Sequence, residues 1–170
     1  MNPKEQGNRE ERKQAKQLSM WMFNDPDVLK RHATSGADKT VYVGDIMPIK
    51  QLHPFGWKKF GFMVEVKNGY PKNIPTFWNY EKVADWYRKA RSECRGTDQN
   101  ILFLICQFKS RSALLITDQY FNGKFIFNVC IPINMKNGGD IEYAYVYNLN
   151  DLLELDFKSL FEGINYKGDI

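Results

Sequence analysis

"FGFMVEVKNGY" occupies residues 60–70 and sets a glutamate and a lysine two positions apart inside an apolar run. Alternation along an extended strand puts Phe62, Val64 and Val66 on one face, with Met63, Glu65 and Lys67 on the other. A solvated ion pair on an exposed sheet face fits that pattern. So does the centre of an active site.

Just upstream, "VYVGDIMPI" (41–49) reads as a second strand in which Val41, Val43, Asp45 and Met47 share a face. If the two strands pair as a hairpin, Asp45 and Glu65 converge at its open or bent end, with Lys67 beside them. Gly44 implies a bulge or a close backbone approach there. Further upstream, residues 5–23 form an amphipathic helix, with Ala15, Leu18 and Met22 at helical spacing and Trp21 beside them. "NDPD" (24–27) ends that helix, residues 28–40 make a polar connection, and 50–59 form a loop around "HPFGW".

Downstream, Tyr80, Val83, Ala84, Tyr87 and Ala90 make the apolar stripe of a helix over about 76–94. "NILFLICQF" (100–108) has the continuous apolar character of a strand covered on both faces, and "SALLIT" (112–117) should lie beside it. "KFIFNVCIPI" (124–133) and "IEYAYVYNL" (141–149) add β-rich segments, and "DLLELDFKSLFEG" (151–163) reads as a closing helix. The order α-β-β-α-β-β-β-β-α predicts an α/β or α+β fold with a central sheet flanked by helices.

At 170 residues the chain is expected to form one domain, 1–170, with a substantial core. A hydrophobic fraction of 43% and an aromatic fraction of 15% exclude a disordered chain. No apolar run has the length needed to cross a bilayer, and the polar first residues do not resemble a signal peptide, so the expected location is cytoplasmic. The three cysteines, Cys94, Cys106 and Cys130, lack CxxC spacing and read as buried or free thiols. Two histidines, His32 and His53, are too few for a histidine-rich metal cage. A net charge of +4 permits a polyanionic partner without demanding one.

Two carboxylates side by side repel unless a cation lies between them. Oxygen ligands of this kind suit Mg²⁺ or Mn²⁺. Such an ion would polarise a scissile phosphate and acidify water, while Lys67 would orient that water or offset charge developing at phosphorus. E-x-K alone is a weak signal, because Glu11-Arg12-Lys13 and Asp156-Phe157-Lys158 match the wider (D/E)-x-K pattern on predicted helices. Strand context and the upstream Asp45 set Glu65-Val66-Lys67 apart. Glu11 lies four residues before Ala15 and seven before Leu18, on the helix's apolar stripe, whereas Glu10 is rotated away by about 100°. An inward carboxylate needs a cation or a metal. One in a partly exposed first turn merely favours the helix dipole, and Glu11 alone does not decide between the two.

Taken in order, these segments resemble the PD-(D/E)xK nuclease superfamily, and within it the archaeal-type Holliday junction resolvases and related phage endonucleases. "GNREERKQAKQLSMW" resembles that group's opening G-x-x-x-E-R helix, and "RHATSGA" its R-x-x-x-S-G loop. "GDI" resembles its second motif and "FMVEVKNGY" its E-x-K strand. The resemblance implies a restriction-endonuclease-like core with a mixed sheet. It makes Asp45, Glu65 and Glu11 metal-binding or catalytic carboxylates, Lys67 the catalytic lysine, and Arg31 and Ser35 phosphate-contacting or catalytic-loop residues. It covers about residues 5–118; residues 119–170 have no residue-level match and are expected to add strands and a helix. Gly-Asp stands where the superfamily's name has Pro-Asp, and Glu10 stands where an apolar residue is more usual, which makes Glu10 a competitor for the role of Glu11.

The implied activity is a Mg²⁺- or Mn²⁺-dependent DNA endonuclease selective for branched DNA. The chain would work as a homodimer, because symmetric junction cleavage needs two sites, and in the host cytoplasm if phage-encoded. Candidate phosphate contacts are Arg31, Lys39, Lys58, Lys59, Lys109 and Arg111, with "KSR" (109–111) placed between two strands at a substrate rim. His32 reads as a partly exposed loop residue in preference to a phosphate contact, and Trp57 as packing within its loop in preference to stacking on a base or wedging a junction. A restriction- or repair-type endonuclease acting on duplex DNA is the nearest alternative, and a non-catalytic DNA-binding module on the same fold is another. A protein-interaction domain using Phe121, Phe125, Phe127, Tyr143, Tyr145 and Tyr147 ranks below both, since those aromatics alternate as strand-core residues do.

Overall fold

Asn2 starts the first helix by accepting a hydrogen bond from the backbone N–H of Lys4, and Pro3 follows at a position where no amide donor is needed. This computed structural model describes residues 2–32, 42–56, 59–68, 80–95, 97–107, 112–121, 128–135 and 140–161. Helix α1 (Pro3–Phe23) ends at Asn24, whose left-handed backbone returns its N–H to the carbonyl of Met20. Ala15, Leu18, Met22 and Phe23 form its buried stripe.

A five-stranded mixed sheet follows, built from β3 (Phe62–Asn68), β4 (Ile101–Gln107), β5 (Leu114–Thr117), β6 (Asn128–Asn134) and β7 (Ile141–Asn148). Its spatial order is β3-β4-β5-β7-β6, with β3 parallel to β4 and every other pairing antiparallel. The parallel pair is bridged by helix α2 (Tyr80–Arg95), as a crossover of this length requires. Leu102, Phe103, Leu104 and Ile105 of β4 are fully buried, the two-sided cover expected of its unbroken apolar run. Each such side chain contributes about 1.5–3 kcal/mol relative to exposure.

Alternation divides the core in two. Phe62, Val64 and Val66 face α1, α3 (Leu149–Leu153) and α4 (Phe157–Phe161), while Met63, Leu102 and Leu104 face Val83, Ala84, Tyr87 and Ala90 of α2. The predicted closing helix over 151–163 is instead two short helices. Between them Asp156 accepts hydrogen bonds from the N–H and hydroxyl of Ser159, and the Leu155 carbonyl accepts from the indole of Trp21. Of the aromatics weighed as an interaction surface, Phe121 and Tyr147 are buried, Tyr145 is partly buried against the core and Tyr143 is exposed; Phe125 and Phe127 lie outside the described residues.

The predicted hairpin between 41–49 and 60–67 does not form. Among the described residues of that stretch only Ile46–Pro48 is a strand, β2, and its antiparallel partner is β1 (Leu29–Arg31), drawn from the stretch expected to be a polar connection. The link from this pair to β3 is one parallel bridge, Gly44 to Val64. Asp45 therefore approaches β3 from outside the ladder, at the sheet's edge. Among the described residues no helix is long and apolar enough to cross a membrane.

Candidate active site

Gly44 makes the close approach to β3 that the sequence implied. Its φ of +99° suits glycine, and a Cβ there would lie 2.6 Å from the Val64 carbonyl oxygen. Asp45 then donates its N–H to Val64 O at 2.7 Å, and its carboxylate Oδ2 accepts the N–H of Val66 at 2.8 Å. Main chain and side chain of one residue thus occupy the free edge of β3 on either side of Glu65.

Glu65 and Lys67 project together on the Met63 face, as alternation predicted, and are joined by a short hydrogen bond between Lys67 Nζ and Glu65 Oε1. Helix α2 lies over β4 and β6, so this end of β3 keeps access to solvent: Glu65 and Lys67 are 18% and 27% exposed at their side chains. From α1, Glu11 reaches the same corner and pairs through Oε2 with Arg31 Nε of β1. Glu10 is turned along its own helix, where Oε1 accepts from Gln14 Nε2 at 2.8 Å and from Lys13 Nζ at 3.4 Å.

Electrostatics bind these groups into one cluster. Burial first, then the charge of Glu65, push the Asp45 carboxyl up to about 7 against the opposing pull of the Val66 N–H. The charge of Glu11 adds to the rise and that of Lys67 opposes it. Burial works against the charge on Lys67, yet Glu65 and Asp45 together outweigh it and hold the ammonium above its ordinary range. Cys106, beside Lys67 across the β3–β4 register, is a buried thiol pushed up to about 12 by desolvation and is no nucleophile at neutral pH.

A buried carboxylate raised by a carboxylate neighbour is a site short of positive charge. The available donors are hard oxygens, the set preferred by Mg²⁺ or Mn²⁺. Among the described residues no three acidic, histidine or cysteine side chains form a ready cage. A Mg²⁺-type site needs none, since one or two carboxylates suffice when waters and substrate phosphates complete the shell. Asp45 and Glu65 meet that requirement.

Gln99 escaped the sequence reading, and His32 departs from it. Gln99 is 1% exposed and spans the gap left by the missing hairpin. Its Oε1 accepts the Val43 N–H at 2.5 Å, and its Nε2 donates to Val43 O at 3.1 Å and Phe62 O at 2.6 Å. No local pattern marks such a glutamine, because its partners lie far away in sequence. His32, read as partly exposed, is 5% exposed. Its N–H donates to Asp45 O at 2.7 Å, and its ring Nδ1 lies 3.3 Å from the Gly44 carbonyl oxygen. Ser35, Lys39, Trp57, Lys58, Lys109 and Arg111 lie outside the described residues. Lys59 is described and pairs with Asp98 at 3.7 Å.

A family model with the description "Phage putative PDDEXK endonuclease" matches residues 2–152. Comparison with curated proteins and with solved structures gives no match.

Proposed function

This chain belongs to that phage PDDEXK endonuclease family, and from that premise we propose that it is a divalent-metal-dependent endodeoxyribonuclease selective for branched DNA. The observation that carries the proposal is the clamp of Asp45 onto the N–H of Val66, which sets its carboxylate beside the Glu65–Lys67 pair at an open strand edge.

In this reading Asp45 and Glu65 hold Mg²⁺ or Mn²⁺, with Glu11 contributing negative charge from α1. The bound ion would supply charge stabilisation at a phosphate oxygen and lower the pKa of water. Lys67 stays protonated through neutral pH; one of its donors is taken by Glu65, and the others remain for a phosphate oxygen or the attacking water. Arg31, held at the rim by Glu11, offers a guanidinium to an adjacent phosphate. Ser35, Lys109 and Arg111 remain candidate phosphate contacts. Selectivity for a four-way junction rests on the resemblance of the ordered motifs to junction resolvases. Paired incisions across a junction need two such centres, so the active species under this reading is a homodimer.

The test is cleavage of a mobile four-way junction and of a sequence-matched linear duplex with Mg²⁺, with Mn²⁺ and with chelator. Junction cleavage that needs the metal and outpaces duplex cleavage supports the reading. Equal rates on both substrates would replace junction selectivity with a restriction- or repair-type activity. Failure to cut any DNA in either metal would end the nuclease proposal.

A further inference from the structure

A second feature of the same corner is a cleft of about 390 Å³ between α1 and β1. Arg12 and Lys16 line it from α1, one helical turn apart, and Lys30 and Arg31 line it from β1, with Ile49 on its apolar wall. Asp27 is the acidic residue lining it.

What sets these cations apart is their place around one cleft; among the described residues Lys4, Arg9 and Lys158 also lack an ion pair but do not line it. Lys13, Lys50, Lys59, Lys67, Arg88, Lys89, Arg91 and Arg95 each have a carboxylate partner within the chain. Among the described residues no ion pair engages Arg12, Lys16 or Lys30, and all three are exposed. Gathering unpaired like charges around one concavity raises the folded state's self-repulsion, and a polyanion relieves it. Arg31 lines the cleft and is also the partner of Glu11, which links the cleft to the acidic corner.

From this geometry we infer that the α1–β1 cleft is the track for a DNA strand leaving the catalytic corner, with Arg12, Lys16 and Lys30 on successive backbone phosphates. The choice of DNA as the polyanion rests on the nuclease reading above. Contacts of this kind carry no sequence information; they fix the position of an arm and make binding salt-dependent. None of the three belongs to the metal-binding group, so binding and cleavage can be separated by experiment.

The experiment is equilibrium binding of a labelled linear duplex and a labelled four-way junction in chelator, followed across a salt series by fluorescence anisotropy. Wild type is compared with the triple variant Arg12→Ala, Lys16→Ala, Lys30→Ala and with a charge-matched triple, Lys82→Ala, Lys89→Ala, Lys158→Ala, from exposed positions on α2 and α4. Removing one phosphate-neutralising side chain lowers the slope of log K against log salt by about 0.9, so the cleft triple should fall by about 2–3 in slope while the matched triple keeps the wild-type value. Thermal melting of both triples near the wild-type temperature shows that they fold. A wild-type slope and affinity in the cleft triple would overturn the inference, and so would an equal fall in both triples, which reports net charge alone. Because binding is read without metal, an unchanged slope beside intact wild-type cleavage retires the cleft and leaves the nuclease reading. A reduced slope in a protein that cuts nothing does the reverse.

Discussion

The Oδ2 atom of Asp45 accepts the backbone N–H of Val66 at 2.8 Å, so the carboxylate is tied to the residue between Glu65 and Lys67. The fold brings Asp45 there without a β-ladder, through one Gly44–Val64 bridge and two neighbouring hydrogen bonds to β3. The consequences follow from how few contacts hold so costly a group.

Asp45 should make the metal-free protein less stable as pH rises. Its folded value, about 7, stands above the ordinary 3.8, so the folded state holds the proton more tightly than the unfolded chain. The associated stability is present below about pH 4 and is lost as pH climbs through 7. Urea unfolding in chelator should show ΔG falling across that window. Asp45→Asn keeps the acceptor for Val66 and should flatten the dependence, gaining about 1–3 kcal/mol at pH 8. The same slope in the variant would assign the titration to another group.

Gly44→Ala should be among the most damaging single-methyl additions in the chain. The added Cβ would meet the Val64 carbonyl at 2.6 Å in a backbone region that L-residues rarely adopt. Strain and displacement together should cost about 2 kcal/mol or more, with activity lost beyond the loss of stability because Asp45 moves. Equilibrium unfolding and cleavage rate measured on the same preparation separate the two effects.

Gln99→Ala removes the side chain that satisfies both backbone groups of Val43 and the carbonyl of Phe62. Unpaired buried amide groups cost about 1–3 kcal/mol each, so a loss of about 2–4 kcal/mol is expected. Hydrogen exchange at the Val43 amide should accelerate more than at amides of β4. Uniform acceleration across the sheet would show that Gln99 serves general packing and not the attachment of Asp45.

The glutamate ambiguity has a direct readout. Glu11 raises the Asp45 carboxyl through its charge, whereas Glu10 is committed to Gln14 and Lys13. Glu11→Gln should shift the Asp45 titration downward, and Glu10→Gln should leave it in place. NMR titration of the Asp45 carboxyl carbon measures both, and the opposite ranking would exchange the two roles.

Much of this was legible from local pattern. Strand alternation placed Glu65 and Lys67 on one face, because that periodicity is set by backbone geometry. Helical spacing did not separate Glu11 from Glu10, whose side chains are 16% and 14% exposed. The pairing of β4 with β5 followed from a continuous apolar run with a second, shorter apolar run close behind it. What was not legible depended on distant partners. Lys30 and Arg31 looked like part of a polar connection because β1 is only three residues long and its hydrogen-bond partner lies beyond the Gly44 turn. His32 and Gln99 are polar residues buried by backbone contacts from elsewhere in the fold, and composition gives such contacts no signature. The α1–β1 cleft depends on the antiparallel β1–β2 pairing that the expected hairpin would have precluded.

The central claim is that Asp45, Glu65 and Lys67 form a metal-dependent phosphodiesterase centre, and single-turnover DNA cleavage by wild type, Glu65→Gln and Lys67→Ala tests it most directly. With Mg²⁺ the wild-type protein should cut, and each variant should be slower by about 100-fold or more while melting within a few degrees of wild type. Chelator should abolish wild-type cleavage. Full-rate cleavage by Lys67→Ala, or wild-type cleavage undiminished in chelator, would contradict the account.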